Sequence, residues 1–182
     1  MKRIGWLAAV AALFACARVL PVHRVPDITL GDPAFFPTIE AYTDAPIVAG
    51  NRVEILFNGD ETFPAMLRDI KSAQSTITFA QYLYEDGSIA YELARAFSER
   101  CRAGIRVHLL IDSQGSGKIP DDIPSMLNNA GCNFEFFRKV EAPQVLFPWR
   151  LIKYNYRNHR RVLVIDGRIG YTGGYGISEA WT

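Results

Sequence analysis

The sequence is poor in cysteine, with three in 182 residues. Cys16 lies in an apolar leader, so only Cys101 and Cys132 remain beyond it. No Cys/His cluster has metal-ligand spacing, which excludes a zinc ribbon or finger and gives no metal site. An apolar run of the ~20 residues that span a bilayer is also missing. So is an excess of either charge: 20 Lys+Arg against 19 Asp+Glu leave a net +1. That balance gives no global attraction to nucleic acid or to an anionic surface, and any basic surface has to be local.

What is present suits an ordinary globular chain, 49% hydrophobic and 21% charged, and long enough for one domain with a core. The first 20 residues stand apart as a signal peptide or N-terminal membrane anchor. Lys2 and Arg3 precede an uncharged run over 4–17, and Arg18 closes it. Ala15-Cys16-Ala17 offers a cleavage site of the A-x-A kind. Leu13-Phe14-Ala15-Cys16 also resembles a lipobox, which would make Cys16 the lipidated residue of a lipoprotein. Each alternative predicts an exported or membrane-associated domain, in a bacterial periplasm or at an inner membrane.

Residues 21–50 are rich in Pro, Asp, Thr and Ala and read as a linker or surface arm, with Phe35-Phe36 as its pin to the domain. The domain is expected over 51–182. Alternating apolar residues predict a first strand over 53–57. A helix follows, capped by Asp60 or Thr62, with Pro64 in its first turn and Met66, Leu67 and Ile70 on its buried stripe. A strand over 75–83 leads to a helix from Ser88 to about Arg102, with Ala90, Leu93, Ala94 and Phe97 inside and Gly104 as its stop. The near-continuous apolar run 106–112 suits a central strand covered on both faces. A helix over 120–129, closed by Gly131, and a strand over 133–138 complete this part. Cys101 falls near a helix end and Cys132 just before a strand. The pair reads as two small buried residues, with a disulfide permitted if the domain is exported.

This alternation predicts an α/β fold with a mixed, mostly parallel sheet. In such sheets ligands gather beyond the carboxyl ends of the strands. The loop 112–117 lies at such an end. It reads as a polar turn, because it lacks the Lys-Ser/Thr pair and the full glycine fingerprint of a phosphate loop. The apolar stretch 145–149, with Phe147 and Trp149, is either a lipid contact or a satellite of the core.

The chemistry concentrates in 158–174. His159 and Arg161 stand two apart before the apolar run 162–165, followed by Asp166 and the pair Gly173-Gly174. On a strand His159 and Arg161 would share one side and Val162 and Val164 the other. A nucleophile beside a fixed cation is what substitution at a phosphate requires. Arg150, Lys153, Arg157, Arg160, Arg161 and Arg168 face a single acid, Asp166, across 150–168, so the local basic excess is here.

These residues resemble the HKD motif of the phospholipase D superfamily: His-x-Lys, four residues, Asp, six residues, then Gly-Gly or Gly-Ser. The likeness continues through Asn58-Gly59-Asp60-Glu61 and the stretches 79–87, 110–116 and 158–181, which look like the first half of bacterial cardiolipin synthases. Arg161 stands where the family has lysine, and Gly176 where many members have asparagine. The resemblance implies a phospholipase D-like α-β-α sandwich lobe, one of a usual two, incomplete at its carboxyl end. It implies phosphatidyl transfer or phosphodiester hydrolysis on phospholipids at a membrane surface. His159 would form a phosphohistidine, Arg161 would steady the phosphate charge, and Asp166 would order the motif. Gly173, Gly174 and Gly176 would line the substrate. No metal or organic cofactor is implied. A second motif is needed, from a missing carboxyl-terminal half or a homodimer partner, so a lone chain is expected to be inactive. The alternatives are a secreted nuclease acting as a dimer, which the neutral charge balance disfavours, and a non-catalytic fragment or pseudoenzyme serving as a binding module.

Overall fold

The computed structural model of the chain describes residues 26–139 and 156–182. The leader 1–20, the apolar stretch 145–149, Arg150 and Lys153 lie outside the described residues. The chain divides into two units, Met1–Val53 and Glu54–Thr182.

The first unit holds a helix where a linker is expected, α1 at Phe35–Thr43. Asp32 turns the chain into it by accepting the Ala34 N–H at 2.8 Å. Pro37 falls within the first turn, where a missing N–H breaks no intrahelical bond. Phe35 and Phe36 meet each other edge to face, their centroids 5.5 Å apart.

The expected first strand over 53–57 does not form. Val53, Ile55 and Phe57 are 88%, 74% and 67% exposed, and no strand among the described residues pairs with them. Alternation alone cannot hold a strand whose N–H and C=O groups find no ladder. The Phe57 N–H donates to Glu61 Oε2 at 2.8 Å, as in a capping box, and starts α2 at Asn58–Ser72. The helix therefore begins earlier than Asp60 or Thr62 predicts. Pro64 lies inside it and leaves the Asp60 carbonyl without its helical donor. Phe63, Met66 and Ile70 form its buried stripe.

Then follow β1 (Thr76–Gln81), α3 (Ser88–Arg102), β2 (Arg106–Asp112), α4 (Asp122–Asn129), β3 (Asn133–Phe137), β4 (Val162–Ile165) and β5 (Ile169–Thr172). They build a five-stranded sheet of order β3-β2-β1-β4-β5. The first three strands are parallel, and β4 runs antiparallel to both β1 and β5. The sheet is thus mixed, in an α/β lobe. Each parallel step needs a crossover, and α3 and α4 supply them.

Ile77, Phe79, Val107, Leu109, Ile111, Leu163 and Ile165 sit on one face and are buried with Leu93 and Phe97. Burying each such side chain contributes ~1.5–3 kcal/mol before the entropy of ordering is subtracted. On the other face Thr78, His108 and Glu135 are exposed. The run in β2 reads as covered on both sides, yet its burial alternates. Among the described residues only one face of this strand is packed.

The register sets the position of the site. Ala80 pairs with Val162, and Val162 with Thr172. The segment entering β4 and the segment leaving β5 therefore meet at the carboxyl ends of β1 and β2.

Cys101 and Cys132 correct another expectation: they form a disulfide, with Cα atoms 5.4 Å apart. The end of α3 and the start of β3 come together because α3 packs on β2 and β3 is its parallel neighbour. The bond closes a loop of 31 residues, which in the chain-entropy picture is worth ~3.7 kcal/mol. The double variant Cys101→Ala/Cys132→Ala is expected to unfold at lower urea concentration, and added reductant should then have no further effect. Equal midpoints for the oxidised and reduced wild type would contradict a stabilising bond.

Candidate functional site

The residues 156–161 form no regular element and lead directly into β4. They are tied down from below by Asp112, the last residue of β2, which is fully buried. One oxygen, Oδ2, accepts the Asn158 N–H at 2.9 Å. The other accepts the N–H groups of Gln114 at 3.0 Å and Gly115 at 3.1 Å. Arg157, its side chain 6% exposed, brings Nη1 to 3.5 Å from the same Oδ1. Burial works to raise the Asp112 pKa, but the N–H bonds from Asn158, Gly115 and Gln114 and the Arg157 charge outweigh it. The carboxyl stays below its ordinary value.

This anchor presents the next residue. Asn158 Oδ1 accepts the Arg160 N–H at 3.1 Å, a local turn of the Asx kind. His159 is exposed, and its ring lies on that of Tyr82, centroids 3.8 Å apart and planes at 18°. Arg161 donates from Nη1 to the Gly174 carbonyl. Its Nε is buried and has no hydrogen-bond partner among the described residues. Gly173 and Gly174 are exposed after β5. Arg161 and Gly174 thus meet at the end of the sheet where the register also puts His159 and Gly173; His159, Gly173 and Gly174 are exposed there and Arg161 is half-buried.

Strand alternation does not govern this grouping. The strand begins at Val162, so His159 and Arg161 precede it. Val162 and Val164 are half-buried on the open face, while Leu163 and Ile165 enter the core.

Asp166 is not brought to the others. It lies beyond β4, a strand of four residues, which at ~3.4 Å per residue puts it more than ~10 Å from His159. Its carboxylate accepts the N–H groups of Gln74, Ser75 and Thr76 at 2.9, 2.8 and 2.9 Å and the Ser75 hydroxyl at 2.9 Å. The N–H bonds from Thr76, Gln74 and Ser75 hold it far below the usual carboxylate range. Gly176 is separate too. It is buried, and a Cβ there would stand 2.5 Å from Leu83 Cδ2 and 3.1 Å from Trp181 Nε1. An asparagine at this position would have to displace Leu83.

Sequence reasoning missed Tyr82 and Asp112, and also Glu179. The Glu179 carboxylate accepts the Ser88 N–H and hydroxyl and so caps α3. For Asp112 a signal existed: a carboxylate ending an apolar strand before a polar turn is aimed at N–H groups. For Tyr82 none did, since an aromatic one residue past a strand is usually core.

Residues 66–180 match the family model described as cardiolipin synthase, PLD-like domain. The chain is 29% identical over 137 residues to cardiolipin synthase A of Pseudomonas fluorescens Pf-5, covering 75% of this chain and 27% of that one. It is 31% identical over 136 residues to cardiolipin synthase of Geobacillus kaustophilus, covering 75% and 26%. It therefore spans about a quarter of the length of these curated relatives. Among solved structures it is similar to the phospholipase D family member Nuc from Salmonella typhimurium, with a TM-score of 0.47, 18% identity, and 66% and 67% of the two chains covered. It is similar also to NucT from Helicobacter pylori, with a TM-score of 0.48, 18% identity, and 65% and 68% covered. With more than half of its residues inside that family model, the chain belongs to the phospholipase D-like family of cardiolipin synthase domains.

Proposed function

We propose that this lobe supplies the nucleophilic half of a phosphatidyl-transfer centre acting on phospholipids. The observation that carries the proposal is the grouping of an exposed His159, backed by Tyr82, with Arg161 and the open backbone of Gly173 and Gly174. A ring nitrogen of His159 attacks the phosphodiester phosphorus. The bond to the leaving alcohol breaks, and that alcohol takes a proton from an acid on a second lobe or a second copy of the chain. Water or a second alcohol then attacks the phosphohistidine. Water releases phosphatidic acid; an alcohol carries the phosphatidyl group away. Arg161 steadies the charge on the non-bridging oxygens. Asp166 acts at a distance, by tying the turn after β4 to the start of β1.

The assay is phosphatidylglycerol in mixed micelles with the native polypeptide in its native oligomeric state. The expected products are cardiolipin or phosphatidic acid. A folded sample that makes neither ends the proposal, and metal-independent cleavage of DNA in its place would turn it toward a nuclease.

The same reading puts the lobe on the oxidising side of a membrane. The basic start and apolar run of residues 2–17 and the Cys101–Cys132 disulfide both support that location.

Arg161 carries a separate prediction. A guanidinium can keep one N–H on Gly174 while others meet the phosphate, whereas an ammonium is a single point of charge. Arg161→Lys is expected to slow turnover roughly tenfold, the worth of one charge-assisted hydrogen bond. A rate equal to or above wild type would show that Arg161 is a drifted lysine.

A further inference from the structure

We infer that Tyr82 is the positioning residue for His159, holding the imidazole plane for attack. The inference rests on the phosphatidyl-transfer reading. Among the described residues the imidazole makes no hydrogen bond of the kind by which a carboxylate or carbonyl orients many functional histidines. Within this lobe the described contact that sets the ring plane is the stack on Tyr82, at 3.8 Å and 18°.

Tyr82 is itself built in. Its N–H donates to Gln81 Oε1 at 3.1 Å. Its carbonyl accepts the hydroxyl of Ser116 at 3.0 Å, and Ser116 is buried. Gly115 presses on the same carbonyl so closely that a Cβ would stand 2.3 Å from its oxygen. On the far side the Leu83 carbonyl accepts the Ile177 N–H at 2.9 Å, and the Tyr84 hydroxyl donates to the Ala90 carbonyl at 2.6 Å. The backbone under the ring is thus held from both flanks. The loop after β2 has two tasks: Asp112 fixes the backbone of Asn158, and Gly115 and Ser116 fix the ring on which the next side chain lies.

The chemistry fits an aromatic partner. Attack forms the N–P bond and breaks the P–O bond to the alcohol. The ring bearing the phosphoryl group then carries positive charge, which the negative face of an aromatic ring attracts. A tyrosine face supports this without competing as a base. Phenylalanine offers a comparable face, so the hydroxyl is not required.

The test compares wild type, Tyr82→Phe and Tyr82→Ala by kinetics and by NMR of the imidazole C–H protons of His159. Tyr82→Ala should lower kcat by ~10- to 100-fold, as misplacement of a reacting group does, with KM within ~twofold, since uniform binding is untouched. Tyr82→Phe should restore kcat. The C–H signals should show the upfield ring-current shift of a stacked imidazole in wild type and Tyr82→Phe and lose it in Tyr82→Ala. The inference is overturned if Tyr82→Ala keeps kcat, if it raises KM alone, if Phe fails as Ala does, or if wild type lacks the ring-current shift. A wild type with no activity on phospholipids would refute the phosphatidyl-transfer reading. The NMR comparison would then decide the stack by itself.

Discussion

His159→Asn removes phosphatidyl transfer and leaves the fold as stable as before. The expected loss in kcat/KM is ~10⁴-fold or more, since the nucleophile of a covalent route has no substitute in the site. At 1.36 kcal/mol per tenfold, that is more than ~5 kcal/mol of transition-state stabilisation. The expected change in unfolding free energy is within ~0.5 kcal/mol, the usual range for an exposed side chain away from caps and cavities. His159 is exposed, it lies in a segment without regular structure, and its ring contact among the described residues is the stack on Tyr82. The separation of the two effects is what identifies a catalytic residue. Urea unfolding beside the phosphatidylglycerol assay measures both. A variant that keeps a tenth of the activity would refute His159 as the nucleophile. One that loses stability along with activity would make the ring a structural prop.

The parts that could be read from the sequence and those that could not differ in the range of the interactions behind them. The helix Ser88–Arg102 follows from Ala90, Leu93, Ala94 and Phe97, whose spacing is local and whose partners are any apolar sheet. The strands 76–81, 106–112 and 133–137 follow for the same reason. The run 53–57 carries an equally good local pattern and forms no strand, because a strand is defined by a neighbour and none among the described residues pairs with it. The disulfide is another such case. Cys101 and Cys132 lie on the elements that the sequence predicts, but their pairing depends on how α3 and β3 sit across β2. In the candidate site, His159, Arg161, Gly173 and Gly174 are legible because one short stretch of sequence carries them. Tyr82 and Asp112 are distant in sequence and reach the site only through strand register, which no local pattern encodes.

Asp112→Ala should destabilise the second unit by ~3–5 kcal/mol, the range for removing one partner of a buried charged pair. Three backbone N–H groups, those of Gln114, Gly115 and Asn158, lose their acceptor, and the Arg157 guanidinium loses its carboxylate. Asp112→Asn should recover only part of this, because its NH2 must face a donor on one side. The informative variant is Asp112→Ala/Arg157→Met. Replacing a buried pair by apolar groups is often neutral in stability, so the double variant should recover the part of the loss that the unpaired Arg157 charge causes. Activity should not return, because the Asn158 N–H that sets the backbone before His159 still has no anchor. The pH response separates the two as well. The Asp112 carboxyl titrates below its unfolded value, so its contribution is complete above ~3.9 and is lost as pH falls through its folded value. Wild type should therefore lose stability in acid more steeply than the double variant. A double variant with full activity would show that Asp112 holds the sheet together and has no part in aiming the histidine. One that stays unstable would show that the three N–H groups, rather than the buried charge, are what the carboxylate is there to satisfy.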